Sequence, residues 1–198
     1  MECYKECYNG LRSQFLHSIA SLNLSEKKHL VNSISEITVN KSEILVEAGK
    51  VSDKLFYVES GLLRTFHIDD NGSESTSNFA IEGDFFGVYE SFYGNITSTE
   101  SIQAVFNSKV KIIHKSAIEA LYEKGEVWQV LGRRFVEFMF IDSQWRLSTF
   151  QRLDAKQRYQ LIIEACPLYA QRIPQQYLAT YLGITPRHLT RLRSEIRF

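Results

Sequence analysis

The chain has 198 residues, of which 44% are hydrophobic and 23% charged, with 23 basic and 23 acidic side chains and no net charge. These values exclude wholesale disorder and collagen-like repeats, and the length allows one or two domains with a real core. No run approaches the ~18 uncharged apolar residues of a membrane span, and Met1-Glu2-Cys3-Tyr4-Lys5-Glu6 has neither a basic start nor an apolar stretch. A cytoplasmic protein without a membrane partner is therefore expected.

Cys3, Cys7 and Cys166 are an odd set, which argues against a disulfide framework, and two thiols four residues apart are a poor metal signal. The neutral balance hides an asymmetry. Residues 171–198 carry Arg172, Arg187, Arg191, Arg193 and Arg197 against Glu195 alone, a charge of +4 that leaves −4 on the rest. A basic C-terminal end on a neutral chain points to an anionic partner for that end.

Leu11, Phe15, Ile19 and Leu22 recur at helical spacing and predict an N-terminal helix. Ser25 is the expected N-cap of a second, short helix, with Glu26 in its first turn and Leu30, Val31 and Ile34 inward. From Ile37 to Ile113 the period changes. Runs such as Glu43–Val46, Leu55–Val58, Leu62–Ile68 and Val110–Ile113 are short and rich in β-branched and aromatic residues. Gly49, Gly61, Gly72, Gly83 and Gly94 fall 12, 11, 11 and 11 residues apart and predict turns between antiparallel strands, with Asp69-Asp70-Asn71-Gly72 a hairpin. This is the pattern of a β-roll or jelly roll.

The helical period returns after Lys115. From Val127 to about Phe150 the residues Leu131, Arg134, Phe138, Ile141, Trp145 and Ser148 alternate by three and four, and Phe135 and Met139 widen the stripe. A long helix this aromatic needs cover on more than one side. Leu131, Phe138, Ile141 and Trp145 are the expected dimerisation seam, although a single buried helix explains Phe138 and Trp145 equally well. Asp154–Ala165 reads as another helix, ended by Pro167.

The stretch Ile173–Ser194 fits a helix-turn-helix along its length. Leu178, Leu182, Ile184, Leu189 and Leu192 stand where the two helices pack, Ala179 where they come closest, and Gly183 where the chain must turn with positive φ. Thr185 is the expected N-cap of the second helix, and Pro186 its first residue. An ordinary αα-hairpin would usually mix Glu and Lys outside, whereas here the outer face is Arg187, His188, Thr190, Arg191 and Ser194. Such a helix suits the major groove, where arginine reads guanine O6 and N7, while Gln175, Gln176 and Thr180 on the preceding helix are expected to meet phosphates. Arg193 and Arg197 are expected at phosphates or in solvent. No nucleophile–base pair, metal-spaced cluster or phosphate loop is present in the sequence, so an enzyme is not expected and no catalytic residue, metal or cofactor is assigned.

The helical start, the glycine-punctuated roll, the long helix and the terminal helix-turn-helix together resemble the Crp/Fnr family of bacterial transcription regulators. Glu47-Ala48-Gly49, Leu55–Val58 followed by Ser60-Gly61, and Gly83-Asp84-Phe85-Phe86-Gly87 match its roll pattern. The resemblance implies an α+β chain with a sensor domain at 1–124, a dimerisation helix at 125–150 and a DNA-binding domain at 151–198. It also implies a homodimer on palindromic double-stranded DNA, with RNA polymerase as a further partner. Members that bind cyclic AMP carry a Glu after the Gly-Asp-Phe turn and an Arg about ten residues on; this chain has Val88 and, near the second position, Ser98 within Thr97-Ser98-Thr99-Glu100. The resemblance therefore implies a roll that has lost cyclic AMP binding. The chain runs only to Arg197-Phe198 past the second helix, so a wing strand is not expected. The alternative is a small-ligand or cyclic-nucleotide module whose helix-turn-helix is vestigial.

Overall fold

The computed structural model describes residues 2–165 and 167–195, without the side chains of residues 2–8, 165 and 168–170. Cys166, Arg197 and Phe198 lie outside the described residues, as do the side chains of Cys3 and Cys7.

The chain forms two compact units, one made of the segment up to Ser33 with Ser116–Asp154, the other of Ile34–Lys115 with the segment from Ala155. The units regroup the segments expected from the sequence: the N-terminal helices belong with the long helix, and the helix-turn-helix belongs with the roll.

In the first unit, α1 (Glu2–Ala20) packs along α5 (Glu126–Arg152). The contact is aromatic. Phe15 lies 5.6 Å from Phe135 and 5.4 Å from Phe138, ring centre to ring centre, and Phe135 and Phe138 meet edge to face. Leu131, Phe135 and Phe138 are buried here within their own chain. Arg134, the charged position of the same stripe, donates to the Ser18 hydroxyl. The short α4 (Lys115–Tyr122) precedes α5, and Gly132 gives Tyr122 room: a Cβ there would collide with its phenol. Burial raises the Tyr122 pKa.

The second helix, α2 (Leu24–Asn32), is capped by Asn23 rather than Ser25. Asn23 accepts from the Glu26 N–H while Glu26 accepts from the Asn23 N–H, a reciprocal pair that Ser25 cannot make because Lys28 follows three residues on. None of its residues is buried: Leu30 is half-buried and Val31 is 68% exposed, so the expected inward face is only partly formed. Ile34 instead opens the first strand.

The second unit holds two antiparallel four-stranded sheets. One contains β1 (Ile34–Val39), β8 (Ser108–His114), β3 (Lys54–Ser60) and β6 (Phe85–Phe86) in that order. The other contains β2 (Ile44–Val46), β7 (Ser101–Ala104), β4 (Leu62–Ile68) and β5 (Glu74–Ile81). Val39, Phe56, Val58, Leu63, Ile102 and Val110 form the core between them. The β4–β5 turn is as expected: the Asp69 carboxylate accepts from the Asn71 and Ser73 N–H groups, and Gly72 has φ +78°. Gly94 is the exception in the glycine series. It ends α3 (Tyr89–Gly94), and the left-handed residue is the neighbouring Asn95.

The second sheet is apolar on its outer face too. Leu62, Phe79 and Val105 pack with Tyr159 of α6 (Ala155–Ala165), Ile173, and the two helices α8 (Gln175–Tyr181) and α9 (Pro186–Glu195). Pro167 does not simply stop α6; it is the first residue of α7 (Pro167–Arg172), a position where its missing N–H costs nothing. Truncating the centre of the α1–α5 contact, Phe138→Ala, should lower the stability of the first unit by about 3–5 kcal/mol, measurable by urea unfolding.

Candidate nucleic-acid interface

The helix-turn-helix is built as its sequence requires. Leu178, Ala179, Leu182 and Leu189 are fully buried and Leu192 nearly so. The turn is closed by the Gly183 N–H donating to Thr180 O and the Ile184 N–H to Ala179 O, with Gly183 at φ +68°. The Thr185 hydroxyl accepts from the His188 N–H at 3.2 Å, which caps α9, and Pro186 opens it. Arg158 holds the turn from outside, donating to the Leu182 carbonyl.

The outer face of α9 carries Arg187, Thr190, Arg191 and Ser194, all exposed, with His188 half-buried. Arg187 and Arg191 are one helical turn apart on this face. Arg191 lies 3.9 Å from Glu195, a loose and exposed pair that holds it only weakly. The hydroxyls are less free. Thr190 donates to the Pro186 carbonyl and Ser194 to the Arg191 carbonyl, both within α9.

Three further residues differ from their expected roles. Gln175 reaches across to α9, donating to the Pro186 carbonyl at 2.8 Å and to the Thr190 hydroxyl at 2.5 Å. It thus pins the start of α9 instead of facing outward. Thr180 accepts from the Thr76 N–H of β5, so its hydroxyl faces the roll. Arg193 donates to the Tyr159 hydroxyl and is half-buried against α6. Gln175 is drawn to α9, Thr180 to β5 and Arg193 to α6, contacts that the local sequence does not reveal. Gln176 remains exposed.

The packing of α8 on the roll centres on Arg64, 1% exposed in the middle of β4. Its guanidinium contacts Glu74 at 2.6 Å and donates to the Gln103 side-chain oxygen and the Thr76 hydroxyl. Its central carbon lies 4.3 Å from the Phe66 ring centre and 3.6 Å from that of Tyr177 on α8. A buried arginine needs such partners, since an unpaired one would carry its full desolvation cost. Phe79 and Tyr181 add a ring contact at 5.4 Å, and Arg172 pairs with Glu82 at 3.4 Å. The sequence did carry a sign of Arg64, a lone charge inside the apolar run Leu62-Leu63-Arg64-Thr65-Phe66, but not the identity of its partner.

On the roll, Val88 is 1% exposed and belongs to the core, and Ser98 is 2% exposed. The Ser98 hydroxyl donates to the Glu100 carbonyl and accepts from the Glu100 N–H. The loop is zipped to its neighbour, with the Gly49 N–H donating to Ser98 O and the Ser98 N–H to Lys50 O. Among the described residues, no three His, Cys, Asp or Glu side chains converge as metal donors, and no helix is long and apolar enough to cross a membrane.

A roll of two antiparallel sheets, a long helix and a helix-turn-helix make up an α+β fold of the Crp/Fnr type. Comparison with known proteins agrees. Residues 36–125 match the family model of the cyclic nucleotide-binding domain, and solved structures share the fold. No curated protein matches the sequence. Among solved structures it is similar to FixK2 from Bradyrhizobium japonicum, with 15% identity, a TM-score of 0.65, and coverage of 82% of this chain and 83% of that one. It is also similar to a protein assigned to the Crp/Fnr transcriptional regulators from Eubacterium rectale, at 20% identity and TM-score 0.66 over 87% of this chain and 82% of that one. A third is CLP of Xanthomonas campestris, a c-di-GMP responsive global regulator, at 14% identity and TM-score 0.62 over 87% and 91%.

The turn offers a direct check. A Cβ at Gly183 would meet nothing nearer than Arg158 Nη2 at 4.0 Å, so Gly183→Ala tests backbone strain alone. It should lower stability by about 1–2 kcal/mol, seen as a lower thermal midpoint.

Proposed function

We propose that this protein is a sequence-specific, dimeric DNA-binding transcription regulator whose roll does not bind cyclic AMP. The observation that carries the reading is the outer face of α9, where Arg187 and Arg191 are exposed on one side of a helix held rigidly by its turn and by α8. Arginines so placed can lie in a major groove and each read a guanine in bidentate fashion. His188, Thr190 and Ser194 flank them on the same helix, and Gln176 is the exposed polar residue of α8 suited to a phosphate. Thr185 and Gln175 support the reading helix through its cap and its first turn.

Binding should be measured on single-base variants of a DNA site selected from a random pool, at two salt concentrations. Arg191→Ala should cost about 1–3 kcal/mol and relax the preference at one position of each half-site. Unchanged base preference with only a flatter salt dependence would make Arg191 a backbone contact. No selected sequence at all would remove the regulator reading.

The dimer reading needs a different seam from that expected. Phe138 is buried against Phe15 of α1, Leu131 is buried within the chain, and Ile141 and Trp145 continue the same stripe, half-buried. The opposite stripe runs Gln129, Arg133, Val136, Phe140, Ser143, Leu147 and Phe150, alternating by four and three. On it Val136 is 43% exposed, Phe140 59%, Leu147 53% and Phe150 42%. Such a run of large apolar residues suits a second copy of the helix, which would bring two reading helices to a palindromic site. Phe140→Asp should convert the dimer to a folded monomer in sedimentation at micromolar concentration, leaving the helical content unchanged. A wild-type monomer would exclude this seam.

The residues do not fit cyclic AMP. Val88 is committed to the core, the Ser98 hydroxyl is spent on Glu100, and the 97–100 loop offers a carboxylate rather than a cation to a phosphate. Calorimetric titration with cyclic AMP should show no saturable heat at micromolar concentration.

A further inference from the structure

Tyr177, Thr180 and Tyr181 stand three and four residues apart and form one face of α8. Each of them meets the roll. The Tyr177 ring centre lies 3.6 Å from the central carbon of the Arg64 guanidinium, the Thr180 hydroxyl accepts from the Thr76 N–H at 3.2 Å, and the Tyr181 ring lies 5.4 Å from that of Phe79. Leu178, Ala179 and Leu182, on the rest of the helix, are fully buried. Of the seven residues of α8, Gln176 alone is exposed. A helix that only supports a reading helix needs a single apolar face, so the second face of α8 has another use.

The partner of that face is itself held in place. Arg64 is fixed by Glu74, Gln103 and Thr76, and contact between a guanidinium and a ring depends on their mutual placement, so the Tyr177 ring docks on a cation that cannot follow it. The connectivity adds to this. The chain passes between the two units three times, at Ser33–Ile34, Lys115–Ser116 and Asp154–Ala155. Released from the sheet, residues 155–195 would be joined to the rest of the chain by the last of these alone. Docked on it, they share all three connections.

We propose that Tyr177 and Arg64 are positioning residues for DNA recognition: they make the helix-turn-helix one rigid body with its roll, and this rigidity fixes the spacing at which two half-sites are bound. The spacing rests on the regulator and dimer reading above; the rigid body does not. The geometry of the duplex makes the constraint severe. Moving one half-site by two base pairs shifts it by about 7 Å and turns it by about 70° around the axis. A head hinged on one connection can follow such a change, whereas a head locked to the roll cannot.

The test uses the full chain and two measurements. Without DNA, backbone NMR relaxation should give residues 175–194 the same rotational correlation time as the roll strands in the wild type and in Tyr177→Phe, which keeps the ring. Tyr177→Gln, which suits the same face to water, and Arg64→Met, which leaves the helix-turn-helix sequence untouched, should both shorten the correlation time of 175–194 while the roll strands keep theirs. With DNA, the site selected by the wild type is lengthened or shortened by two base pairs between its halves. Affinity should fall about tenfold or more for the wild type and Tyr177→Phe, and less than about threefold for Tyr177→Gln and Arg64→Met. All four proteins should keep the same base preference within each half-site, since Arg187 and Arg191 are unchanged; a merely unfolded head would lose it. Independent motion of 175–194 in the wild type, or no release in either loosened variant, overturns the rigid body. A wild type indifferent to spacing, or loosened variants with the full spacing penalty, overturns its role in recognition. Failure to select any site removes the regulator reading and the spacing with it, and the relaxation measurement still decides the rigid body.

Discussion

A sheet that is apolar on both faces cannot stand in water, and this constraint shapes the second unit. Strands β4 and β5 turn Leu63 and Ala80 into the roll and Leu62 and Phe79 outward. The outward pair needs cover, and the cover is the helix-turn-helix itself, through Leu178, Leu182, Leu189 and their neighbours. The same hydrophobic burial that holds α8 to α9 therefore also holds the pair to the roll. A helix-turn-helix on a flexible tether would have been free to present either side; here one side is committed and the α9 face with Arg187 and Arg191 is left outward.

Arg64 gives this packing its specificity. Apolar contact is tolerant of sliding, but a guanidinium in contact with two rings and bonded to Glu74, Gln103 and Thr76 accepts few positions. Thr76 joins both ends of the arrangement, since its hydroxyl accepts from Arg64 and its N–H donates to Thr180. A change in the strands is thus felt on α8 through groups that are satisfied in one geometry. Lys111 and Lys109, by contrast, pair with Glu59 on the exposed side of the other sheet. They hold the Glu59 carboxyl down to about 2, and the ion pairs are of the solvent-exposed kind that contributes little to stability.

The long helix α5 is used on two sides. One stripe is filled by Phe15 of α1, and the other leaves Val136, Phe140 and Leu147 outward. Both stripes obey the alternation of three and four, because any helix this rich in apolar residues offers more than one such reading. Periodicity therefore located the helix but could not say which stripe met α1.

What the sequence determined by itself was whatever local chemistry dictates. The glycines at 49, 61, 72 and 83 take positive φ because the turns require it, and the Asp69–Gly72 hairpin follows from one carboxylate and one glycine. The helix-turn-helix was legible in full, since Ala179, Gly183, Thr185 and the five packing residues are each required at one place. The Crp/Fnr fold was legible from these motifs in order. Other features depended on contacts between segments far apart in the chain. Gln175, Thr180 and Arg193 were drawn in by α9, β5 and α6, and Phe138 by α1. Only the tertiary structure could decide these, because a polar or aromatic side chain is equally suited to DNA, a partner or its own core until the surface facing it is known.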